Sequence, residues 1–246
     1  MPNAPAADQR RLLDVQALDT RLDQLAHRRR TLPELARIAE LESQLADLHT
    51  ALVTSQTAVA DLRRELAKAE ADVQQVRDRA ARNQARLDAG QGSAKDLQAL
   101  QHELESLAKR QGDLEEVELE VMERLEAHEA ALAEVTAAHT QLVDGKVQVE
   151  SERDAAFAQI DAEVAGVQSE RATAAAGLDA GLTALYDRLR GQLGGQGAAA
   201  LRGRRCEGCR LELNPLDLDA IKAKPEDAVV RCEECGRILV LLPEDH

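Results

Sequence analysis

Apolar residues recur in alternating steps of three and four from Ile38 to Leu87, and this repeat constrains the fold more than any other feature of the sequence. Only Ser55 and Asn83 among its fifteen positions are polar. Such spacing is typical of the a/d seam of a left-handed coiled coil, in which each helix buries one apolar stripe against another helix. The repeat therefore predicts a long helix that packs along a second one.

A turn with two glycines interrupts the repeat at residues 87–96, which read LDAGQGSAKD. Within it, Ser93 followed by Asp96 predicts a capping box that begins a new helix. Apolar residues then resume helical spacing, with shifts of phase that should alter the supercoil locally. A seam, a turn and a second seam predict a long antiparallel coiled-coil hairpin over residues 6–190, with its turn at 88–95.

Each arm of this hairpin contains a predicted weak point. Pro33 should interrupt the first arm, because proline is tolerated in a helix only in the first turn. Counted outward from the turn, Asp144 and Gly145 of the second arm lie a few residues from that break. The sequence therefore predicts a hairpin that is jointed near residues 31–33 and 144–145.

The composition favours long helices over a globular enzyme. Phe157 and Tyr186 are the only aromatic residues, although aromatic side chains dominate the energetics of packed cores. The net charge of −14 disfavours non-specific coating of nucleic acid. No stretch is long and apolar enough for a transmembrane helix, and the first residues lack the features of a signal peptide. We therefore expect a cytoplasmic, non-enzymatic protein with no membrane contact and no small-molecule substrate.

Residues 191–203, GQLGGQGAAALRG, separate the hairpin from the C-terminal part of the chain. They contain five glycines and show no apolar period, which is typical of a flexible linker. A phosphate-binding loop is excluded because no Gly-Lys-Ser/Thr follows the glycines. We therefore expect a Gly-rich linker at 191–203.

All four cysteines lie beyond this linker, in two Cys-x-x-Cys pairs formed by Cys206 with Cys209 and by Cys232 with Cys235. Each pair can direct two sulfurs at one ion, and two pairs complete the tetrahedron that Zn²⁺ prefers in structural sites. Two disulfides or four free thiols are the alternatives, and a reducing compartment disfavours the disulfides. Four thiolates leave no position for a catalytic water, so the spacing predicts one structural Zn²⁺.

Short apolar runs at residues 228–230 and 238–242 predict strands that flank the second cysteine pair. Together with the cysteines they predict a small C4 zinc ribbon over residues 204–243. A unit of this size depends on its metal to fold. The fold class expected for the whole chain is therefore mainly α, a coiled-coil hairpin followed by a small β zinc ribbon.

Basic residues surround both cysteine pairs and are candidates for contact with nucleic acid or with a protein partner. They are Arg202, Arg204, Arg205, Arg210, Lys222, Lys224, Arg231 and Arg237. An equal number of acidic residues shares the same stretch, and no aromatic side chain is present on which a base could stack. Two interpretations stay open: a patch that contacts phosphates, or arginines that offset the thiolate charge beside a protein-binding surface.

The turn of the hairpin carries Asp88 and Asp96 with Lys95 between them. An acidic tip could enter a channel of RNA polymerase and position a metal ion there. The alternative is a solvated turn whose carboxylates cap helices. The oligomeric state also stays open, because the polar seam positions could accommodate a second hairpin.

Two segments carry a resemblance to a known family, GSAKDLQALQHELESL at residues 92–107 and CEECGRIL at residues 232–239. They resemble the bacterial C4-type zinc-ribbon proteins that have a long N-terminal coiled coil, and the resemblance extends over essentially the whole chain. It implies a non-enzymatic adaptor whose four cysteines bind zinc. Members of that family are linked to flagellar gene expression and export, to an alternative sigma factor of RNA polymerase, or to messenger RNA.

Two hypotheses about function follow. The first is an adaptor or scaffold whose ribbon contacts protein partners, with RNA polymerase or a sigma factor as candidates. The second is a regulator that binds RNA or DNA through the basic residues of the ribbon. They differ in the dependence of binding on salt, because phosphate contacts release counterions.

Overall fold

The computed structural model describes residues 3–242, which form five helices and four strands. These are α1 (Ala6–Arg30), α2 (Pro33–Asp88), α3 (Ala94–Ala175), α4 (Ala180–Gln192), β1 (Ala198–Arg202), β2 (Arg205–Cys206), α5 (Pro215–Lys222), β3 (Val230–Arg231) and β4 (Ile238–Leu241). The predicted fold class, a mainly α coiled-coil hairpin with a small C-terminal β zinc ribbon, is confirmed.

The chain divides into two compact units. The hairpin unit is Ala36–Glu150, and the ribbon unit consists of the described residues up to Leu35 together with those from Ser151 onward. None of the helices within residues 3–242 combines the length and the apolar content needed to cross a membrane.

In the hairpin unit, α2 and α3 run antiparallel and bury the predicted seam. Its buried apolar side chains are Ile38, Val59, Leu62, Ala69 and Val73 on α2, and Leu100, Leu107, Val121 and Val149 on α3. Exposed ion pairs join the two helices at Arg63–Glu129, Arg77–Glu115 and Arg79–Glu103. From one pair to the next the residue number rises on α2 and falls on α3, as antiparallel helices require. Because exposed ion pairs contribute little to the free energy of unfolding, burial of the apolar seam is what holds the two helices together.

The turn between α2 and α3 contains the predicted capping box. The backbone N–H and the hydroxyl of Ser93 donate to Asp96 Oδ2 at 2.9 and 2.7 Å. Both bonds lower the pKa of the Asp96 carboxyl, and the bond from the Ser93 hydroxyl has the larger effect. Gly90 and Gly92 have positive φ angles of 61° and 133°, which lets the chain reverse here. Asp88, at the end of α2, accepts a hydrogen bond from the Gln84 amide.

The first predicted joint is present as a helix break and the second is not. Helix α1 ends at Arg30 and α2 begins at Pro33. Helix α3, in contrast, continues without interruption through Asp144 and Gly145, so the expected weak point at 144–145 does not break the second arm. One glycine in a helix costs only about 1 kcal/mol relative to alanine, and burial of neighbouring seam residues such as Val149 outweighs that cost.

The second arm is interrupted at a place that the sequence did not predict. Helix α3 ends at Ala175, and Gly177 follows with a φ of +73°. Asp179 then caps α4, because its side chain accepts a hydrogen bond from the backbone N–H of Leu182 at 2.8 Å. The helical spacing of residues 178–189 therefore belongs to a separate short helix.

The ribbon contains a four-stranded sheet in the order β2-β1-β4-β3. Strand β1 pairs antiparallel with β2 and parallel with β4, so that Ala198 lies beside Ile238 and Leu201 beside Leu241. Strand β3 pairs antiparallel with β4. The predicted strand segments 228–230 and 238–242 thus overlap β3 and β4.

The predicted linker at 191–203 is largely wrong. Its first two residues end α4, and residues 198–202 form β1, in which Ala198 and Leu201 are completely buried. A run of alanines has little intrinsic strand preference, which is why the pattern did not reveal a strand. Pairing with the apolar β4 overrides that preference. The sheet therefore begins at Ala198, before the predicted start of the ribbon at 204, and the predicted last residue, 243, lies outside the described residues.

Asn83 occupies a seam position and is 8% exposed. Its amide nitrogen makes no hydrogen bond of normal geometry, although the amide helps Arg79 to lower the pKa of the Glu103 carboxyl. We expect Asn83→Leu to raise the stability of the hairpin by about 1–2 kcal/mol, because it removes a buried unsatisfied polar group. Urea unfolding followed by circular dichroism would measure this, with the exposed Gln84→Leu as the control. An unchanged or lower stability for Asn83→Leu would contradict the prediction.

Candidate metal centre

The four cysteines converge at one end of the ribbon sheet. The Sγ atoms of Cys206 and Cys235 are 3.9 Å apart, as are those of Cys209 and Cys232. All four sulfurs lie within 4.8 Å of one another. A tetrahedral Zn²⁺ with Zn–S bonds of about 2.3 Å places its sulfurs about 3.8 Å apart. The cysteines are therefore positioned to bind one zinc ion.

The same distances exclude the disulfide alternative. A disulfide needs its sulfurs about 2.05 Å apart, and all four cysteines are free. Cys206 and Cys232 are buried, whereas Cys209 and Cys235 are half-buried. Because the four thiolates complete a tetrahedral ligand set, zinc here would hold the fold together and would have no open position for catalysis.

Both cysteine pairs sit in turns of the same construction. In the first, the N–H of Arg210 donates to Cys206 O at 2.7 Å and the N–H of Cys206 donates to Leu211 O at 3.0 Å. In the second, Gly236 and Arg237 make the corresponding bonds with Cys232, at 2.8 and 2.9 Å. Each turn thus fixes the backbone around its two sulfurs.

One position of this turn requires a left-handed backbone. Gly236 adopts a φ of +73° there, and Arg210 adopts +62° at the equivalent position of the first turn. Gly208, inside the first cysteine pair, serves a different role. A Cβ at Gly208 would lie 2.7 Å from Cδ of Arg237 and 2.9 Å from Cβ of Ala199. Gly208 is therefore needed for close packing, and a non-glycine residue carries the left-handed conformation.

The thiols have different acidities. Burial raises the pKa of Cys206 to about 12 and also raises the pKa of Cys232. Burial acts in the same direction on Cys235, but hydrogen bonds from the backbone and side chain of Arg237 outweigh it and bring that pKa to about 7. Because zinc binds thiolates, metal binding must displace protons, above all from Cys206, and acid should weaken it.

Three of the eight candidate basic residues donate hydrogen bonds to backbone carbonyls of the ribbon unit instead of facing a ligand. Arg205 donates from Nε to Arg210 O at 3.1 Å, and Arg231 donates from Nε to Gly236 O at 2.7 Å. Each of these arginines directly precedes the first cysteine of its pair. The repeated sequence Arg-Cys-Glu-x-Cys is the signal from which this shared role could have been found.

Arg237 is the third of these residues. Its guanidinium donates to Gln196 O at 3.0 Å and to Leu193 O at 3.4 Å, on the segment that joins α4 to β1. Arg204 lies 4.0 Å from the Glu212 carboxylate in an exposed ion pair. These contacts account for Arg237 and Arg204 without any external partner.

The other four basic side chains are exposed, and they form no hydrogen bond or ion pair with any described residue. They are Arg202, Arg210, Lys222 and Lys224. Two large apolar side chains of the ribbon, which the sequence analysis did not single out, are also exposed: Leu211 at 52% and Leu216 at 75%. Contact of the four basic residues with nucleic acid or with a protein partner stays a prediction.

Helix α1 holds the ribbon from the other side, through Gln16. Its side-chain oxygen accepts the N–H groups of Gly197 and Ala198 at 2.8 and 3.3 Å, and its amide donates to Gly195 O at 3.0 Å. Gln16 is 6% exposed. A single side chain therefore satisfies the backbone just before and at the start of β1.

A buried carboxylate joins the helices of the ribbon unit next to Gln16. Asp19 accepts hydrogen bonds from the hydroxyl of Tyr186 at 2.7 Å and from two nitrogens of Arg171 at 2.5 and 3.1 Å. Burial raises the pKa of the Tyr186 hydroxyl, and the hydrogen bond to Asp19 raises it further. Residues of α1, α3 and α4 meet in this cluster, which no local sequence pattern could have indicated.

Removal of zinc by a chelator should unfold the ribbon sheet and leave most of the helical signal, because the seam of α2 and α3 is buried without the metal. Cys206→Ser and Cys232→Ser should have the same effect. Elemental analysis should find one zinc per chain, and hydrogen exchange should show loss of protection in β1 and β4. Ser93→Ala, at the turn of the hairpin, is the control that should keep its zinc. Persistent protection of β1 and β4 in metal-free protein would contradict this.

Gln16→Ala should destabilise the ribbon unit by about 1–3 kcal/mol, because it leaves two buried backbone N–H groups without an acceptor. Faster hydrogen exchange at Gly197 and Ala198 would be the specific readout. Gln24→Ala, on the exposed face of the same helix, controls for loss of a glutamine from α1. Equal effects of the two substitutions would show that Gln16 does not hold β1.

Comparisons with known proteins agree with this architecture. The model of the CT398-like coiled coil hairpin domain matches residues 15–194, and that of the C4-type zinc ribbon domain matches residues 205–239. The uncharacterized protein Rv2229c of Mycobacterium tuberculosis is 37% identical over 250 residues, which cover 97% of each chain. The uncharacterized protein ML1638 of Mycobacterium leprae is 32% identical over 225 residues, which cover 91% of this chain and 96% of that protein.

Solved structures show the same fold. A protein from Mycobacterium smegmatis superposes with a TM-score of 0.85 at 36% identity, covering 97% of this chain and 99% of the other. CT398 from Chlamydia trachomatis gives a TM-score of 0.68 at 19% identity, with 96% and 98% coverage. The names of these relatives describe no enzyme. The hairpin, the ribbon and these matches together show that the chain belongs to the family of CT398-like coiled-coil hairpin proteins with a C-terminal C4-type zinc ribbon.

Proposed function

We propose that this protein is a non-enzymatic, cytoplasmic adaptor whose zinc ribbon binds a protein partner through the loop between β2 and α5 and the first turn of α5. A coiled-coil hairpin joined to a C4 zinc ribbon fits a structural or scaffold role. The observation that supports a protein-binding ribbon is the exposure of Leu211 and Leu216, at 52% and 75%. Large exposed apolar side chains favour protein contact when they lie close together on an ordered segment.

The loop that carries Leu211 and leads into Leu216 of α5 is held at several points. Leu211 accepts the N–H of Cys206 through its carbonyl, and the N–H of Leu213 donates to Arg204 O at 2.7 Å. Asn214 caps α5 by accepting the N–H of Leu216 at 3.1 Å. A surface that is already ordered loses less conformational entropy when it binds, so this loop is suited to recognition.

RNA polymerase or a sigma factor is the class of partner that we propose. The resemblance to bacterial zinc-ribbon proteins with a coiled coil, some of which are linked to a sigma factor, is the support for this choice. The free thiols required for zinc binding support a reducing compartment, and hence the cytoplasm.

Binding of RNA or DNA through the ribbon is the second candidate. The exposed and unpaired side chains of Arg202, Arg210, Lys222 and Lys224 favour it, since free cations can contact phosphates. The remaining four basic residues are engaged within the ribbon, and four thiolates on one Zn²⁺ add about two negative charges nearby. This reduced positive charge is why we rank the protein partner first.

The double variant Leu211→Ser/Leu216→Ser should lose the protein partners that the zinc-loaded wild type recovers, because it removes the exposed apolar surface without touching the cysteines. Affinity purification with quantitative mass spectrometry would measure this, with RNA polymerase subunits and sigma factors as the expected proteins. Val53→Ser, an exposed apolar position on α2, is the matched control. Zinc content equal to that of the wild type would show that the ribbon is intact. Undiminished recovery of the partners would contradict the proposal.

The nucleic-acid alternative predicts a different result for variants of this protein. It requires polynucleotide binding that weakens steeply with salt and that Arg202→Glu/Arg210→Glu abolishes. Arg30→Glu, an exposed arginine at the end of α1, controls for the change in net charge. Salt-dependent binding that survives Leu211→Ser/Leu216→Ser would favour this alternative over the protein partner.

A further inference from the structure

The hairpin unit presents a second exposed apolar surface, on α3. Leu119 is 55% exposed, Met122 47% and Val117 49%. Leu119 and Met122 are three residues apart, so their side chains are neighbours on the helix surface. Burial in the seam explains neither of them, because the seam residue between them is Val121, which is 3% exposed.

Carboxylates surround this apolar pair. Between residues 112 and 126 the chain has seven acidic residues and a single basic one, Arg124. Helical spacing places Glu115 and Glu116 one turn before Leu119, and Glu123 one turn after it. We call Leu119, Met122 and the acidic side chains around them, Asp113, Glu115, Glu116, Glu120, Glu123 and Glu126, the acidic face.

Little of this negative charge is neutralised within the hairpin. Arg77 pairs with Glu115 at 2.6 Å, and Arg124 reaches across to Glu65 on α2 at 3.4 Å. The five other carboxylates of the face make no ion pair or hydrogen bond with a described residue, namely Asp113, Glu116, Glu120, Glu123 and Glu126. Like charges three and four residues apart destabilise a helix, and exposed apolar side chains gain nothing in return.

We propose that the acidic face binds a cationic amphipathic helix of another protein. The apolar stripe of such a helix would cover Leu119 and Met122, and lysines or arginines beside that stripe would pair with Glu116 and Glu123. This occupant removes both unfavourable features of the free face, the uncovered apolar area and the like-charge repulsion. Antiparallel two-helix hairpins can accept a third helix along an outer face by the same ridge-and-groove packing that joins the first two.

The charge of the face excludes other occupants. Nucleic acids and anionic membrane surfaces are repelled by unpaired carboxylates. The acidic face of a second copy of the chain would be repelled by the same negative charge. The inference is independent of the ribbon loop, because every residue that it uses lies in the hairpin unit.

A second pair of exposed residues on α3 provides the comparison. Val143 is 37% exposed and Val147 is 59% exposed, with one helical turn between them. Lys146 lies within this stretch and pairs with Glu42 and Glu150. With its charges balanced, this pair indicates no particular partner, and it serves as a matched control for apolar exposure.

The test uses the zinc-loaded full chain and a fluorescein-labelled synthetic helix of leucine and lysine in an amphipathic pattern, titrated by fluorescence anisotropy. A peptide of the same pattern with glutamate in place of lysine is the peptide control. We expect the wild type to bind the lysine peptide and not the glutamate peptide. Leu119→Gln/Met122→Gln should weaken binding at least about tenfold, because it removes the apolar area that the peptide would cover.

Charge variants complete the experiment. Glu116→Gln/Glu123→Gln should also weaken binding and reduce its dependence on salt, whereas Glu70→Gln/Glu134→Gln, at exposed positions outside the face, should change it less than about twofold. Val143→Gln/Val147→Gln should leave it unchanged, as should Leu211→Ser/Leu216→Ser in the ribbon. Circular dichroism would confirm that each variant keeps its helical content.

Three results would overturn the proposal. One is no binding of the lysine peptide by the wild type. Another is equal weakening by the variants of the face and their matched controls, which would indicate attraction by net charge alone. The last is binding that Leu119→Gln/Met122→Gln leaves unchanged. Failure of the ribbon proposal would appear separately, as unaltered partner recovery by Leu211→Ser/Leu216→Ser.

Discussion

The ribbon sheet is too small to bury a core of its own, and its stability depends on support from both of its faces. Domains of about 40 residues usually need a metal or a disulfide to fold. Strand β4 shows how the two supports are divided. Ile238 and Val240 pack with Leu12 and Val15 of α1, whereas Leu239, between them, packs in the cluster that contains Cys206. Alternate residues of one strand therefore face the helices and the metal centre.

This arrangement makes the ribbon part of a larger unit instead of a module on a tether. Gln16 completes the hydrogen bonding at the start of β1, and Ala4 donates its N–H to Asp227 O at 2.8 Å beside β3. Residues near the beginning of the chain thus fold together with residues near its end. Zinc binding and packing on α1 stabilise the same sheet, so each should strengthen the other through the folding equilibrium. A loop carried by such a sheet keeps a fixed geometry relative to α1, which suits recognition of a partner.

The parts of the structure that local rules determine could be predicted from the sequence. The heptad seam, the capping box at Ser93 and Asp96, and the tetrahedral ligand set each follow from the spacing of a few residues. The missed parts depend on contacts between distant segments. Strand β1 is a run of alanines that becomes a strand only beside β4, and Arg237 finds its acceptors at Leu193 and Gln196, about 40 residues away.

The weak point expected at 144–145 does not interrupt α3, for a related reason. The cost of Gly145 is local and small, while the burial that keeps α3 continuous comes from a second helix. The basic residues of the ribbon illustrate the same limit, since their number suggested a patch but their acceptors are carbonyl groups that only the folded turns bring near. Counting charges along a sequence therefore overestimates what is free to bind, and the folded structure has to be consulted for each side chain.

Once these internal partners are subtracted, the two units differ in the charge that they leave exposed. The ribbon retains the free cations Arg202, Arg210, Lys222 and Lys224 together with exposed carboxylates such as those of Glu207, Glu226, Glu233 and Glu234, so its charge is mixed. The acidic face of α3, in contrast, retains unpaired carboxylates around Leu119 and Met122. The net charge of −14 conceals this difference. Apolar groups set the area that a partner can bury, and the charges around them determine which partner is accepted. One surface of mixed charge and one of purely negative charge on the same chain would therefore select two different partners, and an adaptor requires that difference.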